Sequence, residues 1–139
     1  MLIHDFIFHH VGIATADIEG SIRFYEELGY TSSEIYNDPE QKAAIALLQR
    51  QNGPILELIS PTDKASPVQG WVDRIRCGAY HICYVVDDLE EAMSFLKKTG
   101  SVLVYGPVPA IAFGLRRVVF LWGKTSGLVE LLEQDGLSR

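Results

Sequence analysis

The chain has 139 residues, 47 % of them hydrophobic and 22 % charged, with 12 basic residues against 18 acidic ones and a formal charge of −6. That is the size and balance of one globular domain with its own core, and an acidic surface excludes a nucleic-acid partner, which needs a basic face. No apolar run approaches the ~20 residues that span a bilayer, and the first residues lack a basic and an apolar leader region, so no membrane partner and a cytoplasmic location are expected.

Residues 6–15 are rich in branched and aromatic side chains and alternate as a strand does. Asp17 is a suitable N-cap, Ile18, Ile22, Tyr25 and Leu28 fall on one face of the helix that follows, and Gly29 closes it. Short strands are predicted over 31–36, 41–49 and 54–60, separated by the turn signals Asn37-Asp38-Pro39 and Gln51-Asn52-Gly53. A turn-rich connector, 61–76, ends in a short helix that starts near Pro67. The order then recurs: a strand over 80–86, a helix capped by Asp88 with Leu89, Ala92, Met93 and Leu96 on one face, Gly100 as its stop, and strands over 102–105, 116–122 and 128–132. Residues 107–114 are the longest irregular stretch and the expected place for a substrate-contacting loop. Cys77, in a loop, and Cys83, a small core residue within a strand, both read as free thiols, and no base partner marks Cys77 as a nucleophile.

The recurrence is a sequence repeat. His10-Val11-Gly12-Ile13 aligns with His81-Ile82-Cys83-Tyr84 at an offset of 71, which carries through Phe24 with Phe95 and Gly29 with Gly100. Further on, Leu56-Glu57-Leu58 aligns with Val129-Glu130-Leu131 at an offset of 73. One domain of two βαβββ modules is expected, the first about 6–60 and the second about 78–133. The fold class is α+β, the two modules pairing into a half-open, barrel-like sheet with the helices outside and a cavity within. Strand alternation lets only one of His9 and His10 face that cavity, and the repeat selects His10. His10, Glu57, His81 and Glu130 then occupy repeat-related positions where one divalent cation could be held. Taken singly, a glutamate between aliphatics is normally the solvent face of a strand, and a lone strand histidine such as His4 or His9 is core or surface.

Across essentially its whole length the chain resembles the vicinal oxygen chelate superfamily of glyoxalases, bleomycin-resistance proteins and dioxygenases. His9-His10-Val11-Gly12-Ile13-Ala14, Phe24-Tyr25, Ser66-Pro67-Val68, Tyr80-His81-Ile82-Cys83 and Gly127-Leu128-Val129-Glu130-Leu131 are similar to stretches of methylmalonyl-CoA epimerases. The resemblance places the metal ligands on His10, Glu57, His81 and Glu130, a set similar to that of nickel- or cobalt-dependent glyoxalase I. Two features depart from the epimerases. Lys42-Ala43-Ala44-Ile45-Ala46 lacks the extra acid that some of them carry before the position of Glu57, and Trp122-Gly123 stands where a His-Pro pair is usual.

Imidazole nitrogen with carboxylate oxygen suits Ni, Co, Zn, Mn or Fe, and such an ion offsets the repulsion between two buried carboxylates. The implied activity is a metal-dependent isomerase or lyase working through an enolate or enediolate, with Glu130 as the base and Glu57 as its mirror-image partner. The substrate is an acyl-CoA, as for methylmalonyl-CoA epimerase, or a thiol adduct, as for glyoxalase I. A tailoring enzyme of the same superfamily is a further alternative. An iron dioxygenase fits less well because Glu57 fills a position oxygen needs, and a metal-free drug-binding protein would lack the four ligands. Arg116 or Arg117 is a candidate partner for a substrate carboxylate or phosphate, a solvated strand start being the alternative; Trp71, Phe113 and Trp122 read first as packing, with Phe113, in the irregular stretch, also a candidate substrate contact. Related proteins are often homodimers, so a homodimer is expected; some of them build each site across two chains by swapping modules, whereas the connector 61–76 resembles that of members whose modules pair within one chain.

Overall fold

The computed structural model describes residues 5–135, which hold nine strands and three α-helices. The chain divides into two compact units, His10–Tyr80 and the described remainder, from His81 onward together with the residues up to His9. The α+β class is found, and each unit follows a strand with a helix and then a run of further strands, four in the first unit and three in the second.

In the first unit the strands are β1 (Ile7–Thr15), β2 (Thr31–Ser32), β3 (Tyr36–Asp38), β4 (Ala43–Gln49) and β5 (Ile55–Pro61). β1 runs parallel to β5 from His10↔Ile55 to Ala14↔Ile59, and β4 lies antiparallel to β5, β2 and β3. Helix α1 (Ile18–Glu27) makes the crossover between β1 and β2. Asp17 starts it as expected, in extended backbone, accepting the Gly20 N–H at 3.0 Å. Ile18, Ile22 and Tyr25 pack on Ile13, Ala46, Leu48, Leu56 and Leu58. Leu28 instead sits at the C-cap and is exposed, because the helix ends one residue before the apolar periodicity does.

In the second unit β6 (Cys77–Val86) is parallel to β9 (Gly127–Glu133), and β8 (Arg116–Gly123) is antiparallel to β9 and to β7 (Val102–Ala110). Helix α3 (Leu89–Lys98), capped by Asp88 on the Glu91 N–H, buries Leu89, Ala92 and Met93 against Val86, Val119, Leu121 and Leu131.

Several boundaries differ from the sequence expectation. The strand predicted over 31–36 is two fragments, β2 and β3, and Asn37-Asp38 belongs to β3 rather than to a turn. Buried Asp38 still shapes the turn, accepting the N–H groups of Glu40 and Gln41. The connector helix, α2, spans Gln69–Ile75 with Val68 at its N-cap, and so begins near Pro67 as expected. Cys77 opens β6 instead of lying in a loop, while Cys83 is fully buried as expected, and neither forms a disulfide. The stretch 107–114 is largely ordered: β7 runs through Pro107 and Pro109 to Ala110, and a single 3₁₀ turn, Ile111–Phe113, follows. β7 pairs only with β8 in this unit, and such an edge tolerates a proline's missing N–H. Its register shifts on either side of Tyr105, next to Gly106, where φ is +90° and a Cβ would lie 2.7 Å from the Val118 carbonyl oxygen. His4 lies outside the described residues. Among those described, no helix is long and apolar enough to cross a membrane.

Candidate metal centre

Alternation along the strands decides which side chains can do chemistry. In the first unit Val11, Ile13, Leu56 and Leu58 pack toward α1, so His10 and Glu57 point to the other face of their strands. His10 Nε2 lies 3.6 Å from Glu57 Oε1, and the two residues are 0 % and 2 % exposed. Glu57 stands opposite Gly12 across the parallel ladder, so no side chain from that position competes for the face.

The second unit builds the same pair. Tyr84, Val86, Val129 and Leu131 face α3, leaving His81 and Glu130 on the opposite face. His81 Nε2 is 3.0 Å from Glu130 Oε1, with both side chains buried. Here Cys83, the repeat mate of Gly12, stands opposite Glu130. A small residue beside the acid in both modules was visible in the sequence, but it carries meaning only once the ladder register is known.

Glu57 is therefore not the solvent-facing residue that its aliphatic neighbours suggest. A carboxylate this buried is sustained only by a charged partner, a shared proton or a cation. The four side chains are all buried and all of ligating type, two imidazoles and two carboxylates, which is the donor set of a borderline divalent ion. The chemistry of the residues fits a metal.

The remaining candidates make contacts of their own. Arg117 bridges two acids, donating from Nη2 to Glu133 at 2.7 Å and from Nη1 to Glu90 at 2.8 Å. These hydrogen bonds raise the Arg117 pKa, and Arg117 in turn holds the Glu90 carboxyl below its ordinary value. Arg116 donates Nε–H to the Glu133 carbonyl at 2.8 Å. Phe113 is buried, with its ring edge-on to His9 at 5.4 Å. Trp71 packs edge-on against Tyr80 at 5.7 Å, whereas Trp122 is 45 % exposed at the rim of a cavity of about 820 Å³. Phe6, Tyr84, Phe95, Leu96 and Val129 line that cavity, which lies on the α3 side of the second unit, away from Glu130. Nothing in the sequence pattern announced it.

Residues 9–120 match the family model of the Glyoxalase/Bleomycin resistance protein/Dioxygenase superfamily. The chain belongs to this superfamily. Within the superfamily it is 30 % identical over 129 residues to the ethylmalonyl-CoA/methylmalonyl-CoA epimerase of Cereibacter sphaeroides, covering 91 % of this chain and 96 % of that one. It is 34 % identical over 127 residues to the human mitochondrial methylmalonyl-CoA epimerase, covering 88 % and 71 % respectively. The crystal structure of the Mycobacterium tuberculosis methylmalonyl-CoA epimerase superposes with a TM-score of 0.82 at 27 % identity, covering 99 % of this chain and 95 % of that one. These superfamily relatives are epimerases, which favours the first of the activities suggested by the sequence over the glyoxalase I reading.

Proposed function

We propose that the chain is a metal-dependent epimerase of 2-alkylmalonyl-CoA thioesters, with methylmalonyl-CoA as the leading substrate. The observation that carries the reading is the same buried imidazole–carboxylate pair in each of two repeated modules, His10 with Glu57 and His81 with Glu130. The names of the epimerase relatives supply the substrate class.

In this reading His10, Glu57, His81 and Glu130 hold one divalent ion, Ni, Co, Zn, Mn or Fe. A bound ion of this kind supplies Lewis acidity and cancels two buried negative charges. Glu130 takes the proton from the α-carbon, and Glu57 returns one from the opposite side. Inverting a carbon requires an acid–base group on each of its faces, and the duplication provides one acid per module. A positioned base of this kind contributes ~10²–10⁴-fold, or roughly 3–5.5 kcal/mol of barrier. With no acid in Lys42–Ala46, Glu57 is the group left to serve as second base. Arg116 or Arg117 meets a carboxylate or phosphate of the thioester, with Phe113 beside it, and the active protein is a homodimer in which modules pair within each chain.

The test is solvent deuterium incorporation at the α-carbon of methylmalonyl-CoA by metal-loaded protein, with metal analysis of the same preparation. Exchange with bound metal is expected. Turnover of a methylglyoxal–thiol adduct without exchange would move the assignment to glyoxalase I chemistry, and sedimentation or light scattering checks the dimer.

A further inference from the structure

The imidazole and the acid are duplicated in kind, but their neighbour is not. Across the antiparallel ladder from Glu130 stands Phe120, and across the corresponding ladder from Glu57 stands Leu47. The two are repeat mates, at the same offset of 73 that relates the glutamates. Phe120 shares the face of His81 and Glu130, because its neighbours Val119 and Leu121 pack toward α3. Its ring is edge-on to the His81 ring at 5.3 Å, and Tyr105, opposite it on β7, backs it at 6.4 Å. Phe120 is 4 % exposed, so the ring is wedged between the imidazole and Tyr105 rather than free to swing aside. Leu47, in contrast, is a flexible aliphatic side chain that is only half-buried.

We infer that Phe120 is a specificity-determining residue: a fixed aromatic wall beside the acid of the second module that limits the α-substituent of the thioester to one carbon in preference to two. The inference rests on the epimerase reading and extends it to one alkyl group. A packed ring supported from behind resists an added methylene, and an extra methylene in a tight apolar pocket is discriminated by about 10–200-fold. Trimming the ring removes that penalty for the larger substituent and lowers the packing available to the smaller one.

The experiment compares wild type, Phe120→Leu and Phe120→Ala with methylmalonyl-CoA and ethylmalonyl-CoA. It measures kcat/KM for α-proton exchange and, by calorimetry, Kd for each thioester; circular dichroism and metal content are read on every preparation. Wild type is expected to prefer the methyl compound, and the methyl-to-ethyl ratio is expected to fall by about tenfold in the variants, in binding as in turnover. Should Phe120→Ala fail to fold, Phe120→Leu keeps a filled core and carries the test. Equal losses toward both thioesters, with the ratio unchanged, are the mark of a structural residue and overturn the inference while leaving the epimerase reading intact. No exchange of either thioester by wild type overturns that reading and this inference with it.

Discussion

At the scale of single residues, the buried acids are the most exacting feature. Removing the imidazole beside Glu130 leaves a carboxylate at 1 % exposure without its ion-pair partner 3.0 Å away. His81→Ala is expected to emerge from purification with its metal content sharply reduced, as elemental analysis will show. Glu130→Gln keeps the shape and removes the base; α-proton exchange should drop by ~10²-fold or more, and an undiminished rate would transfer the role to Glu57. The sequence displayed this quartet because duplication turns four weak signals into one pattern. It could not display burial: Leu56-Glu57-Leu58 is written the same way whether its acid faces solvent or core. Nor could it show that Gly12 and Cys83 lie opposite the acids, which depends on strand register.

At the scale of elements, the two short helices depend on their first residues. α1 and α3 have ten residues each, too few to be stable in isolation, and each begins on an aspartate accepting a backbone N–H. Asp17→Ala and Asp88→Ala should each cost ~1 kcal/mol in urea unfolding. The first turn of α3 is also tied to β8 and β9 through Glu90, Arg117 and Glu133. Because Arg117 depresses the Glu90 carboxyl, its contribution is present above the unfolded carboxyl pKa and is lost as pH falls through the lower folded value. The gap in melting temperature between wild type and Glu90→Gln should therefore be small, because Glu90 is solvent-exposed, and should close on acidification from neutral pH. Caps and helix faces were legible because they follow local rules. β7 was not, because Pro107 and Pro109 are breakers by composition and become acceptable only at a sheet edge. Gly106→Ala is expected to destabilise that edge, since a Cβ there meets backbone.

For the whole molecule, the repeat predicted the architecture that the TM-score of 0.82 to an epimerase structure bears out. If four buried ligands serve one ion, folding and ion binding are linked. Supplying Co or Ni at about a hundred times its Kd should stabilise the native state by about 2.7 kcal/mol, seen as a rise in melting temperature that a chelator reverses. A melting curve indifferent to every transition metal would leave the quartet as two separate imidazole–carboxylate ion pairs.

The two thiols offer a practical handle. Cys77 is exposed at the head of β6 while Cys83, six residues along the same strand, is sealed inside. Native protein should react with one equivalent of maleimide and denatured protein with two. The rate at which the second equivalent is consumed thus clocks how often the strand bearing His81 opens, with no engineered probe at all.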